Sequence, residues 1–176
     1  MTDPRVAGYA EALFSVAAAE DDLSVVEDEL FRFAQALRSD DDLGSTLADR
    51  ALPMARRLQV VEDLLGSRAS AVTTALVSMV VGAGRAAELP AIVDAMLERS
   101  AASRNKTVAT VRSAVDLTAD QRERLAAAIN TRTGREVEVR VVIDPSVLGG
   151  VVTEIGDDII DGSVRRRLNQ LRESFR

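Results

Sequence analysis

Arg104-Asn105-Lys106-Thr107-Val108-Ala109-Thr110-Val111-Arg112-Ser113-Ala114-Val115 is where the chain changes texture. Before it, apolar residues recur at spacings of three and four. Within Thr107–Val115 they alternate, and the stretch is rich in Val and Thr, as a half-buried strand is. No strand pattern appears upstream of residue 105. The expectation is therefore a helical domain over residues 1–104 and a small mixed domain over 105–176, joined by direct continuation near 103–106 with no long Pro/Gly/Ser linker.

Upstream of the switch six helices are expected. Thr2 or Asp3 caps the first, with Pro4 in its first turn, and Val6, Tyr9, Ala10, Leu13, Phe14 and Ala17 share one face. Ser24-x-x-Glu27 reads as a capping box opening a second helix, with Val26, Leu30, Phe33, Ala34 and Leu37 inward. The acidic run Asp40–Asp42 breaks it, and a short helix through Leu47 follows. Pro53 starts a fourth, with Met54, Leu58, Val61 and Leu65 inward and Gly66 as its stop. Ser70 to Val81 is a fifth, apolar almost all round, which places it at the centre of a bundle or in a binding site. The sixth runs from Leu89 to about Ala102.

Downstream, Thr118-x-x-Gln121 is a second capping box, before a helix bearing Leu125, Ala126 and Ile129 and stopped by Gly134. Glu136–Val141 alternates strictly. Pro145-Ser146 makes a turn, Gly149-Gly150 precedes the apolar run Val151–Ile155, and Gly156-Asp157-Asp158 makes another turn. Asp161-Gly162-Ser163 caps a last helix carrying Leu168, Leu171 and Phe175. The fold class is α+β, an N-terminal six-helix bundle followed by a β-α-β-β-α domain of about 70 residues, near the lower limit for independent folding.

Composition removes several chemistries. The chain has 176 residues, 47% of them apolar, enough for a real core. It lacks His and Cys, so His or Cys metal sites, a Cys nucleophile and a Ser-His-Asp triad are excluded. With no disulfides there is no marker of an oxidising compartment. No basic-then-apolar leader stands at the start. The longest apolar-rich run, Ala71–Ala83, contains two Thr and a Ser. It is shorter than the roughly 20 residues of a membrane span, so membrane association has to come through partners. Residues 1–103 carry 17 acidic and 9 basic side chains, against 11 and 13 in residues 104–176. An acidic first half disfavours nucleic acid there.

The remaining motifs each have a plain structural reading. Gly149-Gly150 lacks the Lys of a phosphate loop and enters a strand, which suits a bulge or tight bend. Asp157, Asp158 and Asp161 resemble a cation or acid–base cluster, but turn and N-cap chemistry accounts for all three. Arg165-Arg166-Arg167 has no interleaved aromatics and reads as a solvated face or as a patch for an acidic protein partner. A nucleic-acid module on the second half would need a basic, aromatic-bearing sheet, and Phe175 is the one aromatic there.

Three segments carry a family resemblance. They are Tyr9-Ala-Glu-Ala-Leu-Phe14, then Gly84-Arg85 with Leu89-Pro90-Ala-Ile92, and then Pro145-Ser-Val-Leu-Gly-Gly150 through Val151-Val-Thr-Glu-Ile-Gly156-Asp157, Asp161-Gly-Ser163, Arg167-Leu168 and Leu171. In this order and spacing the chain resembles the delta subunit of bacterial and chloroplast F-type ATP synthases, whose mitochondrial relative is the oligomycin-sensitivity-conferring protein. The Arg-rich, Lys-poor composition is similar to that of actinobacterial proteins. Some of those bacteria fuse the delta sequence behind a b-type segment, so a chain beginning at Met1 with a capped helix is expected to be a free subunit or a cut-out of such a fusion.

The resemblance implies a non-catalytic peripheral-stalk subunit, with no cofactor and no metal, on the cytoplasmic face of the cell membrane. It implies a six-helix bundle on the alpha/beta head, with helices 1 and 5 receiving the N-terminal helix of an alpha subunit. Tyr9, Leu13, Val72, Leu76, Met79 and Val80 are the residues expected there. It also implies that the second domain holds the C-terminus of the b stalk, and Arg165, Leu168, Leu171, Arg172 and Phe175 are the expected contacts. Gly149, Gly150, Gly156, Asp157, Asp161 and Gly162 are expected to be structural turn residues. No nucleic acid is an expected partner.

Overall fold

The structure is a computed structural model that describes residues 3–20, 23–147, 149–156, 158–164 and 166. It divides into two compact units, Met1–Ser100 and Ala101–Arg176. Among the described residues there are seven α-helices and one four-stranded sheet, an α+β composition.

The first unit is helical throughout. Helix α1 (Pro4–Ala19) begins where the sequence demands: the Asp3 side chain accepts the N–H of Arg5, and Pro4 occupies the first turn, where a missing N–H costs nothing. Helix α2 (Leu23–Ser39) already includes Ser24, so the anticipated Ser24–Glu27 box is not its cap. Glu27 turns inward instead, 2% exposed, and accepts a hydrogen bond from the Ser100 hydroxyl. Asp40 both ends α2 and caps α3 (Asp41–Ala48), accepting the N–H of Leu43 at 3.0 Å.

Helix α4 (Met54–Leu65) follows Pro53. Its inward face is Arg57, Val61 and Leu65. Met54, expected inward, is 54% exposed at the first position of the helix. Its sulfur lies over Gly82, 3.9 Å from where a side chain there would begin. Helix α5 (Ala71–Gly82) is capped by Ser70. Gly84, at φ +72°, turns the chain into a single 3-10 turn (Ala86–Glu88) and then α6 (Leu89–Ser103). Leu13, Leu30, Leu47, Val61, Leu89, Ile92 and Met96 are among the fully buried side chains of this unit's core.

In the second unit β1 (Thr107–Ser113) lies between two neighbours, in the order β2-β1-β3-β4. It runs parallel to β2 (Val137–Ile143), Thr107 opposite Val137, and antiparallel to β3 (Val151–Ile155), Ala109 opposite Ile155. Helix α7 (Ala119–Thr133) joins the parallel pair, which needs such a crossover. Both halves of its capping box form: Thr118 accepts the N–H of Gln121, and Gln121 accepts the N–H of Thr118. Gly134, left-handed at φ +68°, ends it. Ala109, Ile129, Val137 and Ile155 form the core, with Leu125, Ala126, Val139 and Ile160 packed against it.

One expectation for this unit changes. A fourth strand, β4 (Asp158–Asp161), pairs antiparallel with β3, so Ile159-Ile160 lies in a hairpin strand that the β-α-β-β-α expectation does not include. Four residues are too few for periodicity to reveal. Beyond β4 the Asp161 carboxylate accepts the N–H of Ser163 and the Ser163 hydroxyl accepts the N–H of Arg166, and the residues of the anticipated last helix, Leu168, Leu171 and Phe175, lie outside the described residues.

Candidate functional site

Helices α1 and α5 touch in the first unit, and the six anticipated groove residues divide sharply there. Leu13, Leu76 and Val80 are buried and belong to the unit's own core. Tyr9 and Val72 are half-buried. Met79 is 43% exposed. Between Val72 and Met79 along α5 stands Ala75, also exposed. An apolar helix with Val72, Ala75 and Met79 on its outer side leaves an uncharged stripe at the spacing of one helical face. Its inner side is already filled by Leu76, Val77, Val80 and Val81.

The far end of the stripe is fixed by charged groups. The guanidinium of Arg85 lies 5.7 Å from the centre of the Tyr9 ring. Its Nη1 donates to both carboxylate oxygens of Glu88, at 2.7 and 2.8 Å. The Glu88 carboxylate holds the Arg85 guanidinium above its ordinary pKa, with the adjacent Tyr9 adding to the effect. On the α6 side, Arg99 lies 5.1 Å over the Phe14 ring and donates to Glu11 at 2.8 Å. Thus α1 is held at Tyr9 and at Phe14 by one arginine each.

The start of α5 is held by a carboxylate. Glu29 on α2 accepts from the Ser70 N–H, the Ser70 hydroxyl and the Thr73 hydroxyl. Burial pushes its pKa up, but these donors and the nearby Arg32 outweigh burial and hold it below the usual carboxylate value. The end of α5 meets a cation: Arg57, buried, donates to the carbonyls of Leu47 on α3 and Val81 on α5. A positive group at two helix C-termini satisfies carbonyls that lack helical partners.

Comparison with known proteins shows the family of the chain. A family model described as ATP synthase delta (OSCP) subunit matches residues 6–175. The chain belongs to the ATP synthase delta (OSCP) subunit family. The ATP synthase subunit delta of Nocardia farcinica is 43% identical over 175 residues, covering 99% of this chain and 65% of that relative. The subunit delta of Streptomyces avermitilis is 40% identical over 150 residues, 85% of this chain and 55% of the relative. This delta-family chain therefore spans between about half and two thirds of the length of these curated relatives. Among solved structures, a chain of the Toxoplasma gondii mitochondrial ATP synthase hexamer shares the fold, with a TM-score of 0.60, 24% identity and 98% coverage of both chains.

The other anticipated delta-family positions lie in the second unit. Arg165, Leu168, Leu171, Arg172 and Phe175 fall outside the described residues, as does Asp157. Gly149, Gly150 and Gly156 all have left-handed φ, +74°, +75° and +56°. At Gly150 a side chain would also begin 2.5 Å from the carbonyl oxygen of Gly162, so the Gly pair and the Asp161–Ser163 turn are packed backbone to backbone. Among the described residues no helix is long and apolar enough to cross a membrane.

Sequence reasoning missed three residues of the first unit. Arg57 was hidden because an apolar count passes over a charged inward position. Glu29 was hidden because its partner is 41 residues away. Arg85 was quoted only as part of a motif, although its i,i+3 spacing to Glu88 marks a local ion pair.

Proposed function

We propose that this chain is the peripheral-stalk subunit of a proton-translocating F-type ATP synthase, a non-catalytic connector between the alpha/beta head and the b stalk. In this reading α1–α6 form a six-helix bundle seated on the head, with alpha N-termini and beta contacts as partners. The smaller unit holds the C-terminus of b through Arg165, Leu168, Leu171, Arg172 and Phe175. The complex is a peripheral one on the cytoplasmic face of the membrane, and the chain meets the membrane only through it. No active site is assigned.

The observation that carries this reading is the uncharged α5 stripe of Val72, Ala75 and Met79, on a helix that touches α1, the helix of the half-buried Tyr9. Leu13, Leu76 and Val80 support it from below. Such a surface fits the apolar face of an amphipathic helix, which lays residues at i, i+3, i+4 and i+7 into a groove. A stator must resist the torque of the rotor. Two attachments on one chain do this better than one, because release of either leaves rebinding intramolecular. Titrating the chain with synthetic peptides of the alpha N-terminus and the b C-terminus tests it. Simultaneous, independent binding of both supports the connector role, and binding of neither removes it.

A further inference from the structure

We propose that Arg85 is a positioning residue for Tyr9, setting the aromatic ring for the docked helix without itself contacting the partner. The inference rests on the docking reading above and deepens it. Its geometry is built from three local constraints. Gly84, at φ +72°, turns the chain immediately after α5. The Arg85 N–H then donates to the Val80 carbonyl at 3.1 Å, and the Glu88 N–H donates to the Arg85 carbonyl at 2.9 Å. That short turn carries the Glu88 carboxylate back under the guanidinium, where both oxygens accept from Nη1.

The guanidinium is thereby engaged on two sides. The carboxylate holds it from one, and the Tyr9 ring lies within the roughly 6 Å at which a cation is attracted to an aromatic face. Its charge is matched within the chain, so it is not an open receptor for an acidic partner. Tyr9 has the opposite character. It is half-buried on the flank of α1, and only two side-chain torsions set its direction. Fixing those torsions before binding removes an ordering cost that the partner helix would otherwise meet. Arginine suits this position better than lysine because a flat guanidinium can lie along a ring while its edge grips a carboxylate.

The chain offers a direct readout. Tyr9 is its only tyrosine and it has no tryptophan, so the tyrosine band of the near-ultraviolet circular dichroism reports this one ring. The full chain is compared with Arg85→Lys, Arg85→Met and Glu88→Gln, by that band, by thermal melting and by titration with a synthetic alpha N-terminal peptide. The expected result is a weakened band in all three variants and a loss of affinity of about two- to fivefold, with melting retained. In a Tyr9→Leu background Arg85→Lys is expected to leave affinity unchanged. An intact tyrosine band in Arg85→Lys and Arg85→Met overturns the proposal. So does an equal loss of affinity with and without Tyr9, which would mean that Arg85 touches the peptide itself. If an Arg85 variant unfolds, Glu88→Gln decides by the same band. If the unaltered chain does not bind the peptide, the docking reading fails and the band still decides whether Arg85 orders Tyr9.

Discussion

The carboxylate of Glu29 accepts hydrogen bonds from both the backbone N–H and the hydroxyl of Ser70, at 2.9 and 2.8 Å, across 41 residues of sequence. Ser70 in turn caps α5 by accepting the N–H of Thr73. One side chain of α2 thus orders the first turn of the helix that presents Val72 and Met79. Ser70→Ala is expected to cost about 1–2 kcal/mol in urea unfolding. If Ser70→Ala leaves the midpoint unchanged, the cap contributes nothing.

The same contact gives a pH dependence. The folded-state pKa of Glu29 lies below its ordinary value. Its stabilising contribution is therefore complete above the unfolded pKa and is lost as pH falls through the folded one. The stability of the unaltered chain should drop on acidification more steeply than that of Glu29→Gln, with the two curves converging at the acid end. Parallel curves would show that Glu29 titrates alike in both states.

Arg57 ties α4 to the ends of α3 and α5 through carbonyls and not through an acid. Arg57→Ala should cost about 3 kcal/mol, since it leaves a void and removes a donor from the Leu47 and Val81 carbonyls. Arg57→Met keeps most of the volume and should cost clearly less. Equal losses would mean that packing carries nothing at this site.

Two glycines should respond in opposite directions. Gly150→Ala must adopt a left-handed backbone and meet the Gly162 carbonyl, a cost of about 2 kcal/mol or more. Gly8 lies inside α1 with open space where a side chain would begin. Gly8→Ala should stabilise the chain by roughly 0.5–1 kcal/mol. Thermal melts of both variants check the pair, and a destabilised Gly8→Ala would place a packing partner against α1.

The helices were legible because caps and periodicity agree. Asp3-Pro4, Asp40, Ser70 and Thr118 each stand at a start, and Val26, Leu30, Phe33, Ala34 and Leu37 are all inward on α2. What stayed hidden depends on partners distant in sequence or on very short elements. The Ser24-x-x-Glu27 spacing put Glu27 in a capping box, but burial against Ser100 claimed it. Strand β4 shows itself only through its pairing with β3. For the docking site, spacing alone grouped Leu13, Leu76 and Val80 with Met79, because a stripe of apolar residues does not say which of them the core has already used.

The b-stalk assignment is tested by truncation. Deleting residues 172–176 is expected to abolish binding of a b C-terminal peptide and to leave alpha-peptide binding to the helical unit intact. Normal affinity for the b peptide in the truncated chain would move that contact elsewhere, to the Thr107–Val115 side of the unit.

The connector role stands or falls on the surface formed by α1 and α5. Isothermal titration with an alpha N-terminal peptide, run on the unaltered chain, on Tyr9→Ala and on Met79→Glu, measures it directly. Both substitutions lie at least partly at the surface, so melting should change little, while affinity should fall roughly tenfold or more, as it does when an interface anchor is truncated. Undiminished affinity in both variants, or no binding by the unaltered chain, would contradict the assignment of this surface to the alpha subunit.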